Sequence, residues 1–264
     1  MTNHADVGRL QGRRALVTGG GSGIGRATAL RLAREGAAVA IIDVRPDSAE
    51  ETAAAVAAIG VLAHAFAADV GEEHQLGAAV RKAIESMGGL DLVVASAGIA
   101  RTGITHQLTL HDWETTIRVN LTGTFLTIKH SLPALIESER SSIVTIGSVA
   151  SLVAAGGVSA YDASKGGVLQ FTKAVAVEYV DQGVRANCVC PGVVSTGLRA
   201  NTASLHGAQP AVDKGPEPSL RLRIPMDRRA HPDEIASVVA FLSSDDASFI
   251  TGAAIAADGG YTAI

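Results

Sequence analysis

Aromatic residues are scarce in this chain, at 3%, with one Trp, three Tyr and five Phe. Its core must therefore come from Ala, Val, Leu and Ile, which suits parallel strands covered on both faces. Cysteine is almost absent: Cys188 and Cys190 are the only two. That excludes a disulfide framework and a cysteine-based metal cluster. Read as alternating along one strand, the two thiols are expected to face opposite ways and stay unpaired. Small buried thiols of this kind suit a reducing compartment, and a cytoplasmic location is expected. No apolar run approaches the roughly 18 residues of a membrane helix. The segment 1–12 is polar and has no apolar core, so no secretory signal is expected. A formal net charge of −4 gives no electrostatic case for nucleic acid. No clustered metal ligands accompany the cysteines, and no metal site is expected.

What the chain does contain is a regular alternation. Apolar runs near 14–18, 38–42, 62–67, 91–95, 142–146, 184–190 and 253–257 read as strands. Helical patterns fill 23–35, 47–59, 72–87, 111–137, 159–182 and 232–243. Alternation of this kind predicts a doubly wound α/β fold, a parallel sheet of about seven strands with helices on both faces. With 264 residues, 47% of them apolar, one domain spanning 1–264 is expected. Ligands of such sheets bind outside the carboxyl ends of the strands, at the switch point.

Chemistry-bearing residues fall at those ends. The first strand runs into Gly19-Gly20-Gly21-Ser22-Gly23-Ile24-Gly25 and then into a helix. Glycines let the backbone approach a pyrophosphate, and the helix N-terminus offers free N–H groups and a positive dipole end. The second strand ends in Asp43, where a carboxylate reads ribose hydroxyls and repels a 2′-phosphate. NAD is therefore favoured over NADP. Arg45, two residues further on, is expected to face solvent. Tyr161 and Lys165 lie four apart on a helical pattern and so share a face. An ammonium beside a phenol favours the phenolate and lowers its pKa. Ser148, thirteen residues earlier, is placed to hydrogen-bond a substrate oxygen.

These motifs, in this order, make the chain resemble the short-chain dehydrogenase/reductase family, in its single-domain Tyr-x-x-x-Lys form with a Rossmann-type sheet. The resemblance covers nearly the whole chain. The family's Thr-Gly-x-x-x-Gly-x-Gly stands here as Thr18, Gly19, Gly23 and Gly25, with Ser22 and Ile24 inside it. Its Asp-Val adenine contact stands as Asp69 and Val70, and its catalytic asparagine as Asn120. Pro191, Gly192, Val194 and Thr196 correspond to the segment that meets the nicotinamide. The family usually carries Asn-Asn-Ala-Gly after the fourth strand; this chain has Ala95, Ser96, Ala97 and Gly98. Gly147 stands where many relatives carry a second serine. The resemblance implies a catalytic set of Asn120, Ser148, Tyr161 and Lys165. In it Tyr161 moves the proton, and Lys165 also binds the nicotinamide ribose. Asn120 would hold a water that links Lys165 to solvent.

The substrate is less determined. Val153, Ala154 and Val158 are expected to line its pocket with Ser148 and Tyr161. That small, apolar stretch favours a neutral secondary alcohol or ketone. Arg221 and Arg223 leave open a 3-oxoacyl-type or other acidic carbonyl substrate. A non-catalytic NAD(H)-binding regulator is the alternative from another class. Residues 196–225 break the rhythm and read as a lid, with Gly197 and Gly215 as hinges. The apolar helical patterns 111–137 and 159–182 suggest a homodimer or homotetramer.

Overall fold

The computed structural model describes residues 8–207 and 224–264. Seven parallel strands form one sheet in the order β3-β2-β1-β4-β5-β6-β7. They are β1 (Arg14–Thr18), β2 (Ala38–Asp43), β3 (Ala63–Ala67), β4 (Leu92–Ala95), β5 (Ser141–Ile146), β6 (Val184–Pro191) and β7 (Ala254–Ala257). The order reverses between β1 and β4, so their carboxyl ends diverge into a crevice. The expected strands thus all form, and in the expected arrangement.

Helices α1 (Gly23–Arg34), α2 (Pro46–Ala57) and α3 (Glu73–Met87) follow the first three strands. Further on come α4 (Leu110–Ile117), α5 (Gly123–Ile136), α6 (Ser159–Glu178), α7 (Leu198–His206) and α8 (Pro232–Ser243). Successive side chains of a strand point to opposite faces. Accordingly Leu16 joins a core layer with Leu76 and Val80 of α3, Leu126 and Ile128 of α5 and Val175 of α6. Ala15 and Val17 join the other layer, with Leu32 of α1, Val56 of α2 and Val239 of α8. Aliphatic residues thus fill both layers, as the shortage of aromatics requires. Each fully buried Leu or Ile contributes roughly 1.5–3 kcal/mol.

The helix ends have local causes. Gly88 closes α3 in the left-handed region, at φ 69°. At the start of α8, the imidazole of His231 accepts from Asp233 N, Glu234 reaches back to His231 N, and Pro232 occupies the first turn. The pattern over 111–137 is not one helix. A π-helical segment, Arg118–Thr122, separates α4 from α5. Next to it, Thr124 and Thr127 hydroxyls donate to the carbonyls of Asn120 and Gly123 four residues back. Such bonds compete with the regular ladder. The pattern over 159–182 likewise stops at Glu178, and Val180–Gln182 forms a 3₁₀ turn. Among the described residues, no helix is long and apolar enough to cross a membrane.

Candidate active site

The carboxyl ends of the strands open into a cavity of about 410 Å³. Its floor is the turn after β1. Gly19 there has φ 66°, and an added Cβ would stand 2.6 Å from Ala97 Cα in the turn after β4. A Cβ on Gly25 would collide with the Gly19 carbonyl. The glycines thus let three backbone segments converge where a ligand must also fit. Ser22 caps α1 without a side-chain cap bond, and the first turn of α1 has no acidic residue. The start of α1, which lines the cavity at Gly23, Ile24 and Gly25, thus leaves its dipole uncompensated, as suits an anion.

Every position expected to touch a cofactor lines this one cavity. Gly19, Ser22, Gly23, Ile24 and Gly25 form the floor, and Asp43 one wall. Asp69, Val70, Ser96, Ala97 and Gly98 form the opposite side, and Pro191, Gly192, Val194 and Thr196 the far end. The Asp43 carboxylate accepts from Gly21 N at 2.9 Å and from Arg45 N at 3.0 Å. Asp69 is held by Gly71 N and by Arg118 at 2.9 Å. This donor set fits a dinucleotide: open helix N–H groups for phosphates and a wall carboxylate for ribose hydroxyls.

Ser148, Tyr161 and Lys165 meet at the same cavity. Ser148 caps a 3₁₀ turn, Val149–Ser151, and its Oγ accepts from Ala150 N at 3.1 Å. The Ser148 side chain acts on the Tyr161 phenol in the direction that favours its ionised form. Lys165, 5% exposed, donates from Nζ to the Ile146 carbonyl at 2.7 Å and lies 5.7 Å from the Tyr161 ring centroid. Burial lowers the Lys165 ammonium to about 8.

The Tyr161 phenol is pushed up, contrary to the expectation that Lys165 lowers it. Burial is the main cause, Asp162 adds to it, and the Ser148 side chain opposes it. The ammonium is turned onto Ile146 and has no bond to the phenol. Asn120 lies fully buried behind the cavity. Its Oδ1 accepts from Ile99 N at 2.8 Å, and its Nδ2 donates to Ile99 O and Ser164 Oγ, each at 3.0 Å. The side-chain amide therefore pins the turn after β4 to α6 and is committed to protein groups, not aimed at Lys165.

Other expectations change. Val153, Ala154 and Val158 are not among the residues lining the cavity, and Val153 and Ala154 are exposed. Their segment is pinned outward, by Ala155 N on Asp162 at 2.9 Å and by Gly103 N on the Gly157 carbonyl at 3.0 Å. Arg45 faces the cavity rather than solvent. Its Nε is buried without a hydrogen-bond partner among the described residues, and its Nη1 reaches Asn201 at 3.3 Å. The two cysteines share one face of β6, with sulfurs 3.9 Å apart. Residues two apart on a strand point the same way, so the opposite-face expectation was an error of period.

The stretch 196–225 is not wholly irregular, because α7 lies across the cavity. Asn201 donates to Ser22 Oγ at 3.2 Å on one wall. On the other wall, Thr202 Oγ1 accepts from Ala100 N at 3.1 Å, and the His206 carbonyl accepts from Arg101 at 2.9 Å. Leu198, Leu205 and His206 also line the cavity. Burial lowers the His206 pKa, with Arg101 acting the same way, so the imidazole is neutral at pH 7. Leu198, Thr202 and Leu205 sit at i, i+4 and i+7, the one signal that marked this helix. Gly215, Arg221 and Arg223 lie outside the described residues.

A family model described as enoyl-(acyl carrier protein) reductase matches residues 19–262. The chain belongs to the short-chain dehydrogenase/reductase family. It is an oxidoreductase acting on CH–OH groups, and the family uses a nicotinamide cofactor. It is 42% identical over 259 residues to 2-(S)-hydroxypropyl-CoM dehydrogenase 3 of Xanthobacter autotrophicus, covering 97% of this chain and 99% of that one. It is 37% identical to cyclohexanol dehydrogenase of an Acinetobacter species, covering 94% of each. A crystal structure of a short-chain type dehydrogenase/reductase from Mycobacterium marinum superposes with a TM-score of 0.87. The identity is 31%, over 98% of this chain and 99% of that one.

Proposed function

We propose that this short-chain dehydrogenase/reductase, acting as one domain, is an NAD-dependent dehydrogenase of neutral, largely apolar secondary alcohols. One observation carries the reading. The hydroxyls of Ser148 and Tyr161 stand with Lys165 in a single cavity that also holds the glycine turn and Asp43. The two hydroxyls hold the substrate oxygen between them. In oxidation Tyr161 takes the hydroxyl proton from that oxygen; in reduction it returns one. A bound nicotinamide supplies the hydride acceptor or donor. Lys165 binds its ribose, and Asp43 takes the adenosine ribose hydroxyls. Asn120 holds Ile99, and with it the turn that backs the cofactor.

The preference for NAD rests on Asp43. Its carboxylate forms the cavity wall and would meet a 2′-phosphate as a like charge. The preference for a neutral substrate rests on the lining. Besides Lys165, the formally charged lining residues among those described are Asp43, Arg45 and Asp69, all on the elements that hold the adenosine end. The cavity that holds Ser148 and Tyr161 is also lined by Ile99, Ile146, Leu198 and Leu205. The relative named for cyclohexanol favours the same substrate class. Helix α7 acts as the lid over both ligands.

Absorbance of reduced nicotinamide tests this. The chain is offered NAD or NADP with cyclic, aliphatic and carboxylated secondary alcohols. Higher kcat/KM with NAD and an uncharged alcohol is expected. Preference for a carboxylated or acyl-carrier substrate would reject the neutral-substrate reading. NADH binding without turnover on any alcohol or ketone would favour a regulator.

A further inference from the structure

Ser151 touches no expected ligand and belongs to none of the motifs read from the sequence, yet it lies between two site residues. Its Oγ accepts from Ser148 N at 3.2 Å and donates to the Lys165 carbonyl at 2.7 Å. The Ser151 Oγ bond to Ser148 N, with the Ser148 side chain accepting from the turn's backbone, forms a capping box, and Ser151 N also donates to the Ser148 carbonyl at 2.8 Å. One hydroxyl thus ties the backbone of Ser148, on the loop after β5, to the backbone of Lys165, on α6. Tyr161 rides on the same helix one turn earlier.

The thiol pair supports this hydroxyl from below. Cys190 Sγ and Ser151 Oγ both border the space a Cβ on Gly147 would fill, at 3.3 and 2.8 Å from it. A hydroxyl has one proton and two lone pairs. With the proton on Lys165 O, a lone pair accepts from Ser148 N, and the two sulfurs, 3.9 Å apart, pack alongside. Both cysteines are fully buried. Gly147 leaves room for the arrangement: a Cβ there would stand 2.7 Å from Cys188 Sγ and 2.8 Å from Ser151 Oγ.

We propose that Ser151, backed by Cys190, is a positioning residue that fixes Ser148 against Tyr161 and Lys165. It acts through their backbones and not on substrate. The proposal rests on the dehydrogenase reading for its effect on rate, but not for its effect on Tyr161. Without the tether, the Ser148 hydroxyl loses its set distance from the phenol. The Ser148 side chain opposes the upward push of burial on Tyr161, so displacing it leaves the phenol harder to ionise.

The test is Ser151→Ala beside Ser151→Thr, which keeps the hydroxyl. Tyr161 ionisation is followed as tyrosinate absorbance, taken as the difference from the same variant carrying Tyr161→Phe. In Ser151→Ala its midpoint is expected to rise by roughly half a pH unit or more. In Ser151→Thr it returns towards wild type. Where turnover is measured, kcat falls roughly tenfold in Ser151→Ala, as a small misplacement allows; KM for NAD stays within about twofold. Cys190→Ala, which keeps Ser151 but removes the sulfur packed beside it, shifts the midpoint the same way by less and serves if Ser151→Ala does not fold. An unchanged midpoint in these variants, with only Tm lowered, would overturn the proposal. The titration needs no turnover, so failure of the dehydrogenase reading leaves it decisive.

Discussion

At the scale of single residues, side chains that do no chemistry set the geometry of those that do. Gly147 shows this. The space of its missing side chain is filled by Cys188 and Ser151. A methyl there must displace a buried sulfur or move the neighbouring Ser148. Overpacking of this kind costs about 1–3 kcal/mol. Gly147→Ala is therefore expected to lower Tm, and adding Cys188→Ala should recover much of the loss; a loss that the second change leaves untouched would mean another cause. Tyr161 carries the second residue-scale prediction. Burial raises its pKa, so the phenolate is scarce at pH 7. Alcohol oxidation, which needs the phenolate, should rise with pH into the alkaline range. Ketone reduction, which needs the phenol, should hold at neutral pH and fall as pH rises through the same value. Paired pH–rate profiles measure both arms.

At the scale of elements, α7 is the part that must move. Its bonds to Ser22 and Arg45 on one wall, and to Ala100 and Arg101 on the other, span the mouth through which a dinucleotide enters. Each hydrogen bond is worth about 1 kcal/mol net. Asn201→Ala removes the tie to Ser22 and Arg45 and should speed NADH release several-fold in stopped-flow fluorescence; an unchanged release rate would leave α7 without a role as a latch. The elements were unequally legible in the sequence. The strands and the glycine turn were plain, because burial on both faces leaves continuous apolar runs and a close backbone approach demands glycine. The π segment at Asn120 was not, because it depends on side-chain hydroxyls and on Ile99, twenty-one residues away. Val153, Ala154 and Val158 pattern as a pocket wall, but their segment is tied instead to the Asp162 carboxylate and to Gly103 N. Arg45 reads as a surface residue two places past a strand, yet Asn201 of α7 draws it inward. In these three misses, a contact with another segment of the chain took part in the outcome.

At the scale of the whole molecule, the sheet gathers six separate loops at one edge and leaves another face apolar. Along α5 and α6, Phe125, Leu132, Ile136, Phe171 and Tyr179 line a shallow groove, with Phe125 and Ile136 about two-fifths exposed. We propose that this face pairs with a second copy, because apolar surface of this kind is worth covering. Light scattering should give a dimer or tetramer, and Phe125→Asp should lower the mass. A monomer at micromolar concentration would reject the pairing. The central claim is that one cavity separates cofactor binding from proton transfer, with Tyr161 responsible only for the second. Tyr161→Phe tests it most directly, with turnover of a secondary alcohol and NADH affinity measured side by side. Turnover is expected to fall by at least about 10²-fold while the NADH dissociation constant stays within about twofold. Turnover near wild type, or NADH affinity lost along with it, would contradict the account.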